Sequence, residues 1–283
     1  MAKNILVSPI VKWVGGKRQL LEEIKPLVPK KYSMYCEPFV GGAAVLLSLQ
    51  PKNAIVNDAN ADLIELYRVI KESVDDLIED LRKHENNADY FYEIRALDRR
   101  KDAYRALSPI KRASRLIYLN KTCYNGLFRV NNAGEFNTPF GGYKKPNIVN
   151  EATLRAVSRY LNENSVQLLS GDYGAALEKL EKGSFVYLDP PYDPVSDSAA
   201  FTGYTSGGFG REEQIRLREY CDTLSNRGIK FLLSNSDTEF IRDQYQRYEI
   251  KTVQATRSIN SKGDRRGNVN ELLIRNYNSA GSK

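Results

Sequence analysis

Histidine is nearly missing from this chain: there is one, His84, in 283 residues. Ser-His-Asp catalysis, histidine-bound zinc and imidazole acid–base chemistry therefore lose their usual residue. His84 itself lies in the polar run Leu81-Arg82-Lys83-His84-Glu85-Asn86 and is expected on the surface. The three cysteines, Cys36, Cys123 and Cys221, are far apart and lack metal-ligand spacing. They read as buried thiols of a reducing compartment, and no metal site is expected. No apolar run is long enough to cross a bilayer, and Met1 to Pro9 lacks the pattern of a signal peptide, so a cytoplasmic protein is expected. Phosphate-binding motifs are missing too. There is no Gly-x-Gly-x-x-Gly, and Gly15-Gly16-Lys17 lacks the upstream glycine and the following Ser or Thr of a phosphate loop.

What is present is positive charge, +7 net, which favours a polyanionic partner. It is concentrated between residues 95 and 145. Arg95, Arg99, Arg100, Lys101, Arg105, Lys111, Arg112, Arg115, Lys121, Arg129, Lys144 and Lys145 alternate there with Tyr104, Tyr118, Tyr124, Phe128 and Tyr143. Basic residues interleaved with aromatic ones suit phosphate and base contacts. The stretch from Arg95 to Arg105 reads as a solvated helical face.

Two regions alternate strand-like and helix-like segments. In the first, Ile10 to Trp13, Met34 to Phe39 and Ala54 to Asn57 are strand-like. Helices are expected at 17–27, after Gly42 through Leu49, and at 62–70. In the second, strands are expected at Val166–Ser170, Phe185–Leu188, Lys230–Ser234, Tyr248–Val253 and Glu271–Tyr277, most of them separated by helices. Such alternation predicts an α/β fold with a mostly parallel sheet and helices on both faces. The middle, about 70–148, has three helical patterns and then Leu127 to Phe136, a hairpin signal centred on Asn131-Asn132-Ala133-Gly134. It is read as a mostly helical insertion, residues 70–148, in a domain made of 1–69 and 149–283. Two loops rich in small and polar residues, Ser196–Gly210 and Ser258–Asn268 (with Lys262, Arg265 and Arg266), are expected to be mobile.

The most informative residues are Asp189-Pro190-Pro191-Tyr192, directly after the apolar run Phe185-Val186-Tyr187-Leu188. Two prolines end a strand's hydrogen-bond ladder and leave a stiff, extended chain. The Asp189 carboxylate and the Pro190 carbonyl are two acceptors for the two N–H groups of an exocyclic amine, and Tyr192 offers a face on which its ring stacks. Such acceptors draw the nitrogen toward a tetrahedral shape and free its lone pair to attack. The alternative is an ordinary strand-terminating turn. Elsewhere, Glu37-Pro38-Phe39-Val40-Gly41-Gly42 ends one strand and opens a helix, and Asn57-Asp58 ends the next, where an acid can hold ribose hydroxyls. A ribose-binding acid without a phosphate cradle suits S-adenosylmethionine, which needs no metal.

These residues, taken in order, resemble the DNA adenine-N6 methyltransferases of the Dam and DpnII type (D12 class, alpha group). The likeness spans nearly the whole chain. It rests on Lys12-Trp13-Val14-Gly15-Gly16-Lys17, Glu37 to Gly42, Asn57-Asp58, Tyr124-Asn125-Gly126-Leu127 and Glu135-Phe136-Asn137-Thr138-Pro139-Phe140-Gly141. Tyr143-Lys144-Lys145-Pro146, Asp189 to Tyr192, Ala200-Phe201-Thr202 and Leu233-Ser234-Asn235 complete it. The resemblance implies a Rossmann-like methyltransferase sheet plus an inserted DNA-recognition domain with a β-hairpin. It implies S-adenosylmethionine held by Trp13, Lys17, Phe39, Gly41, Asp58, Asp172 and Asp189, with Tyr173 covering the cofactor's adenine. It places Asp189, Pro190, Pro191 and Tyr192 at the catalytic centre. Lys12, Leu127, Arg129, Pro139 and Tyr143 would face double-stranded DNA, with Tyr124 and Asn125 filling the space of a displaced base. The target implied is the palindrome GATC, on which a monomer acts on each strand in turn, in the nucleoid of a bacterial or phage-infected cell. Relatives that carry an Arg before the matching tyrosine differ from this chain, which has Gly142; one phosphate contact is thereby lost. The rival readings are a methyltransferase acting on RNA or a protein amide, and a catalytically inactive DNA-binding relative.

Overall fold

Among the described residues, seven short runs, most of them rich in aliphatic and aromatic residues, become strands. They are β1 (Tyr35–Glu37), β2 (Asn53–Asp58), β3 (Ser165–Ser170), β4 (Phe185–Leu188), β5 (Lys230–Ser236), β6 (Glu249–Thr256) and β7 (Asn268–Arg275). The structure, a computed structural model, describes residues 3–194, 208–256 and 268–278. Ala200-Phe201-Thr202 and nearly all of the two expected loops, Ser196–Gly210 and Ser258–Asn268, lie outside those residues.

The strands form one sheet in the order β3-β2-β1-β4-β5-β7-β6. β1 pairs in parallel with β2 and β4, and β4 in parallel with β5. Every residue of β1 and β4 is buried, as in strands covered on both faces. β7 runs antiparallel to both β5 and β6. A parallel β6–β7 pair would need a crossover of a dozen or more residues, and only 257–267 separate the two strands. Together with eleven α-helices among the described residues, this is a mixed α/β fold, as the sequence predicts. No described helix is long and apolar enough to cross a membrane. Strand order reverses between β1 and β4. In open α/β sheets, ligands bind beyond the carboxyl ends of the strands at such a point. Pro38-Phe39 follows β1 there, and Asp189 follows β4.

The chain divides into two compact units. The first is Met1–Gly16, Val40–Lys52 and Asp58–Gly171; the second is Lys17–Phe39, Asn53–Asn57 and Asp172–Lys283. In the first, the helices Ala61–Glu72, Val74–Leu81, Pro109–Thr122 and Glu151–Glu163 pack together. Three of the four begin on a side chain that accepts a backbone N–H: Asn60 from Leu63, Ser108 from Lys111 and Asn150 from Thr153.

Four expectations change within this unit. Ile10 to Trp13 is not a strand. The Asn120 side chain takes the place of a strand partner, accepting the Lys12 N–H at 2.8 Å and donating to its carbonyl at 2.8 Å. The stretch 127–136 does turn back on itself, with Asn131 N–H on the Glu135 carbonyl at 2.9 Å, but its only bridge is Val130 with Phe136. The Asn131 carboxamide oxygen, which accepts from Ala133 and Glu135, replaces the rest of the ladder.

Third, much of the 95–115 charge is internal. Arg112 binds Glu65 through two nitrogens, at 2.7 and 2.6 Å. Buried Arg115 pairs with Asp98 at 2.8 Å and donates to the carbonyls of Ile94 and Arg95. Arg95 and Arg99 donate to the carbonyls of Thr138 and Phe136 and so brace the turn, rather than forming a solvated face. Turning Arg115 out toward a phosphate would take from Asp98, whose side chain is 11% exposed, one of its two arginine partners, the other being Arg99. An exposed ion pair returns at most about 1 kcal/mol.

Fourth, His84 is not a free surface residue. Its ring stacks on Tyr118 at 4.3 Å and 12°, and its nitrogens lie 2.9 Å from the Tyr90 and Ser114 hydroxyls. Burial lowers its pKa from 6.5 to about 4, against an opposing push from Asp80. Between those values the unfolded chain holds a proton that the folded chain does not. Stability present above pH 6.5 is therefore lost as pH falls toward about 4. Urea unfolding of wild type and His84→Phe across this range should show a shallower pH slope in the variant. An unchanged slope would clear His84 of any part in it.

Candidate active site

Within the second unit, β4 delivers Asp189 and the two prolines end it. The Asp189 Oδ1 atom lies 2.7 Å from the ammonium of Lys17, and both side chains are largely buried, 17% and 6% exposed. The same ammonium sits 4.6 Å from the centre of the Tyr192 ring, a cation–π distance. The Tyr192 hydroxyl donates to Glu271 Oε2 at 2.8 Å. Burial raises the Asp189 carboxyl to about 6; Lys17 opposes that rise and the Glu271 charge adds to it. Tyr192 is raised well above 10, first by burial and then by the Asp189 and Glu271 charges, so its phenol stays neutral and donates. The cluster thus holds a carboxylate, a cation and an aromatic ring in one dry place. It can accept N–H groups, and near neutral pH it can take up a proton.

Three polar side chains that sequence reasoning passed over, or noted only as part of a motif, hold this loop. Gln214, 1% exposed, donates to the Pro191 carbonyl at 2.8 Å. That occupies the Pro191 oxygen and distinguishes it from that of Pro190. Asn235 donates to Gln214 at 3.0 Å and accepts the Asp193 N–H at 3.1 Å. Ser236 donates to the Asp193 carbonyl at 2.6 Å. Gln214 lies in an amphipathic helix pattern, where a single buried amide gives no periodic signal.

Also in this unit, Phe39 packs on Tyr173 with ring centres 5.0 Å apart. Tyr173 is 5% exposed, and the Arg216 guanidinium lies 4.8 Å from its ring. Arg216 grips Asp172 by two bonds of 2.8 Å and thereby lowers the carboxyl pKa. Asn57 donates to the Pro38 carbonyl at 3.1 Å, tying the end of β2 to the end of β1.

The first unit holds the other residues singled out by sequence. Asp58 accepts the Gly41 N–H at 2.9 Å on one oxygen and the Asn60 N–H at 2.9 Å on the other. Burial raises its pKa and those two bonds lower it. Gly41 has φ +47°, and a Cβ there would stand 3.0 Å from the Trp13 ring. Trp13 in turn stacks on Phe128 at 4.7 Å. Carboxylate, glycine turn and indole are therefore one assembly.

A second assembly gathers Lys12, Tyr124, Asn125, Pro139 and Tyr143. Tyr124 and Tyr143 are exposed, at 56% and 38%. The Tyr143 hydroxyl accepts the Asn125 N–H at 2.9 Å, and the Pro139 carbonyl accepts that of Tyr124 at 2.9 Å. Asn125 is left-handed, at φ 58°. Asn120, unmarked by sequence, links this corner to Lys12 by also donating to the Gly126 carbonyl at 3.2 Å. Leu127, whose carbonyl accepts the Thr138 hydroxyl at 2.6 Å, leads on to exposed Arg129. The Nε of Arg129 donates to Asn137 Oδ1 at 2.7 Å.

Known proteins match most of the chain. The family model described as D12 class N6 adenine-specific DNA methyltransferase matches residues 13–259. The type II methyltransferase M1.LlaDCHI of Lactococcus lactis subsp. cremoris is 41% identical over 280 residues, covering 98% of each chain. The type II methyltransferase M.MjaIII of Methanocaldococcus jannaschii is 42% identical, covering 96% of this chain and 99% of its own. The DNA adenine methylase of Escherichia coli K12 is 37% identical, covering 96% and 95%. The chain belongs to the D12 class of N6 adenine-specific DNA methyltransferases.

Proposed function

We propose that this enzyme methylates adenine N6 at GATC in double-stranded DNA, with S-adenosylmethionine as the donor and the target base turned out of the helix. The observation that supports this best is the buried Lys17–Asp189–Tyr192–Glu271 cluster at the end of β4. A carboxylate so placed reaches an exocyclic amine only when the base leaves the stack. The cofactor suits the residues present. Asp58 is a carboxylate fixed by two backbone N–H groups, Gly41 admits close approach, and the Trp13 indole stands beside Gly41. Trp13, Lys17, Phe39, Gly41, Asp58, Asp172, Tyr173 and Asp189 are assigned to holding it. When bound, it supplies a methyl group already activated on a sulfonium.

Asp189 and the Pro190 carbonyl accept the two N–H groups of the amine and direct its lone pair along the line of transfer. Tyr192 carries the ring. As the N–C bond forms, one N–H proton leaves, and the Asp189 carboxylate is the nearest base of suitable pKa. Residues 70–148 serve as the recognition region. Lys12 and Arg129 read guanines, Leu127 and Pro139 contact bases, and Tyr143 steadies Asn125 while Tyr124 and Asn125 fill the vacated space. A monomer serves a palindrome by methylating each strand in turn, in the cytoplasm where the DNA is. The type II names of two relatives make a restriction partner a natural companion.

Incubation with tritiated S-adenosylmethionine and a GATC duplex, its single-base variants, RNA, or protein tests this. Label should appear as N6-methyladenine in the GATC duplex and not in RNA or protein. Preference for another duplex would overturn the target assignment alone. Transfer to RNA or protein with none to DNA would overturn the substrate.

A further inference from the structure

The catalytic loop is held at Asp189 by Lys17, at the Pro191 carbonyl by Gln214, at Asp193 by Asn235 and Ser236, and at the Tyr192 hydroxyl by a side chain 79 residues away. Pro190 and Pro191 fix their own φ angles and offer no N–H groups to exchange. Gln214 anchors the Pro191 carbonyl. With the main chain so restrained, what remains is the swing of the Tyr192 side chain. Glu271 removes it by accepting the phenol at 2.8 Å.

Glu271 is itself held at the backbone. It sits in β7, facing Ser236 of β5 on one side and Val253 of β6 on the other, inside paired strands. The bond joins residues 79 apart in sequence, so it sets the ring by the sheet and not by the loop. The ring it sets is the one that carries the Lys17 ammonium, 4.6 Å from its centre, while that ammonium holds Asp189 at 2.7 Å. Plane, cation and carboxylate are thus registered to one another through Glu271.

We propose that Glu271 is a positioning residue for methyl transfer: by accepting the Tyr192 hydroxyl it fixes the plane on which the target adenine lies beside Asp189. This rests on the reading of Asp189 to Tyr192 as the adenine site. Glu271 touches neither base nor methyl group in this role. A rival role exists in the same geometry, since Glu271 is a second negative charge near Asp189. The two roles separate cleanly, because a neutral amide oxygen still accepts a phenol hydrogen bond but carries no charge.

The test uses four full-length variants: Glu271→Gln, Glu271→Leu, Tyr192→Phe and the Tyr192→Phe/Glu271→Leu double. The single-turnover methylation rate on a saturated duplex is measured for each, with duplex affinity and thermal unfolding alongside. Glu271→Gln is expected within about threefold of wild type, because it keeps the acceptor. Glu271→Leu and Tyr192→Phe are each expected to slow the step about tenfold with duplex affinity retained. The double should be no slower than Tyr192→Phe, since both changes remove one bond. Tyr192→Phe cuts that bond without touching the sheet, so it decides the matter even where Glu271→Leu fails to fold. If Tyr192→Phe turns over at the wild-type rate, or Glu271→Gln is as slow as Glu271→Leu, charge is what matters and the proposal falls. Additive losses in the double would overturn it as well. Failure of the underlying reading looks different: wild type would then transfer no methyl group to adenine in any duplex.

Discussion

Asp189→Ala should lower methyl transfer by about three orders of magnitude or more while the protein remains folded. The size follows from what the side chain does. A nucleobase amine is a poor nucleophile, and on the proposed mechanism its activation rests on two fixed acceptors, of which this is the only charged one. Removing a fixed electrostatic partner in a dry site typically costs about two to three orders of magnitude. Here the same atom group is also the nearest base. Alanine also removes the ion pair that Lys17, 5% exposed, makes with Asp189 at 2.7 Å, so some stability is lost too. Asp189→Asn keeps the volume and separates the two effects. In wild type the carboxyl titrates at about 6, raised by burial, lowered by Lys17 and raised again by Glu271, with the neutral Tyr192 phenol beside it. Only the ionised form accepts through both oxygens. The single-turnover rate should therefore hold above about pH 6 and decline below it. Asp189→Asn should show a low rate without that limb. Turnover by Asp189→Ala within about tenfold of wild type would remove Asp189 from the mechanism.

That sequence points to Asp189 as a candidate and not to Glu271 is a matter of distance along the chain. Asp189-Pro190-Pro191-Tyr192 is contiguous, and a strand ended by two prolines is a local event that composition reports directly. Glu271 appeared only as the first residue of an expected strand, 271–277. Nothing in a period of two says which outward position meets a tyrosine 79 residues earlier. The strands themselves were readable to within a few residues, because apolar runs bounded by glycine, proline and polar residues are local as well. Their order was not, and β7 entering antiparallel between β5 and β6 is a tertiary outcome. The basic middle region shows the converse. Sequence counts Arg95, Arg99, Arg112 and Arg115 as charge available to a partner. Folding spends them on Glu65, Asp98 and buried carbonyls instead. Charge is a property of a residue, whereas availability is a property of its surroundings. For the same reason His84, polar by its neighbours in sequence, turned out stacked and bonded.

Arg129→Ala should change which sequences are methylated, and not merely how fast. Arg129 is exposed, and its Nε is already engaged by Asn137 at 2.7 Å, while its carbonyl accepts the Asn137 N–H at 3.0 Å. A guanidinium gripped through Nε presents its two Nη groups as a fork of fixed direction. That fork fits the O6 and N7 acceptors of one guanine edge. A bidentate contact of this kind discriminates by about 1–3 kcal/mol, which is about 5- to 150-fold in relative rate. Phosphate contacts carry no base information, so Lys144, exposed on the same unit, is the control. Initial rates on GATC and on each single-base variant should separate the two. Lys144→Ala should slow every site alike, and more steeply as salt rises. Arg129→Ala should slow GATC most and bring one substituted guanine–cytosine position level with it, while discrimination at the other, assigned to Lys12, persists. Asn137 gives a graded version of the same result. Asn137→Ala frees the fork without removing it, so discrimination should weaken at the position that Arg129 reads and at no other. Full wild-type discrimination in Arg129→Ala would mean that this arginine reads no base, and the guanine would then have to be sought by another side chain of the exposed corner around Tyr124 and Tyr143.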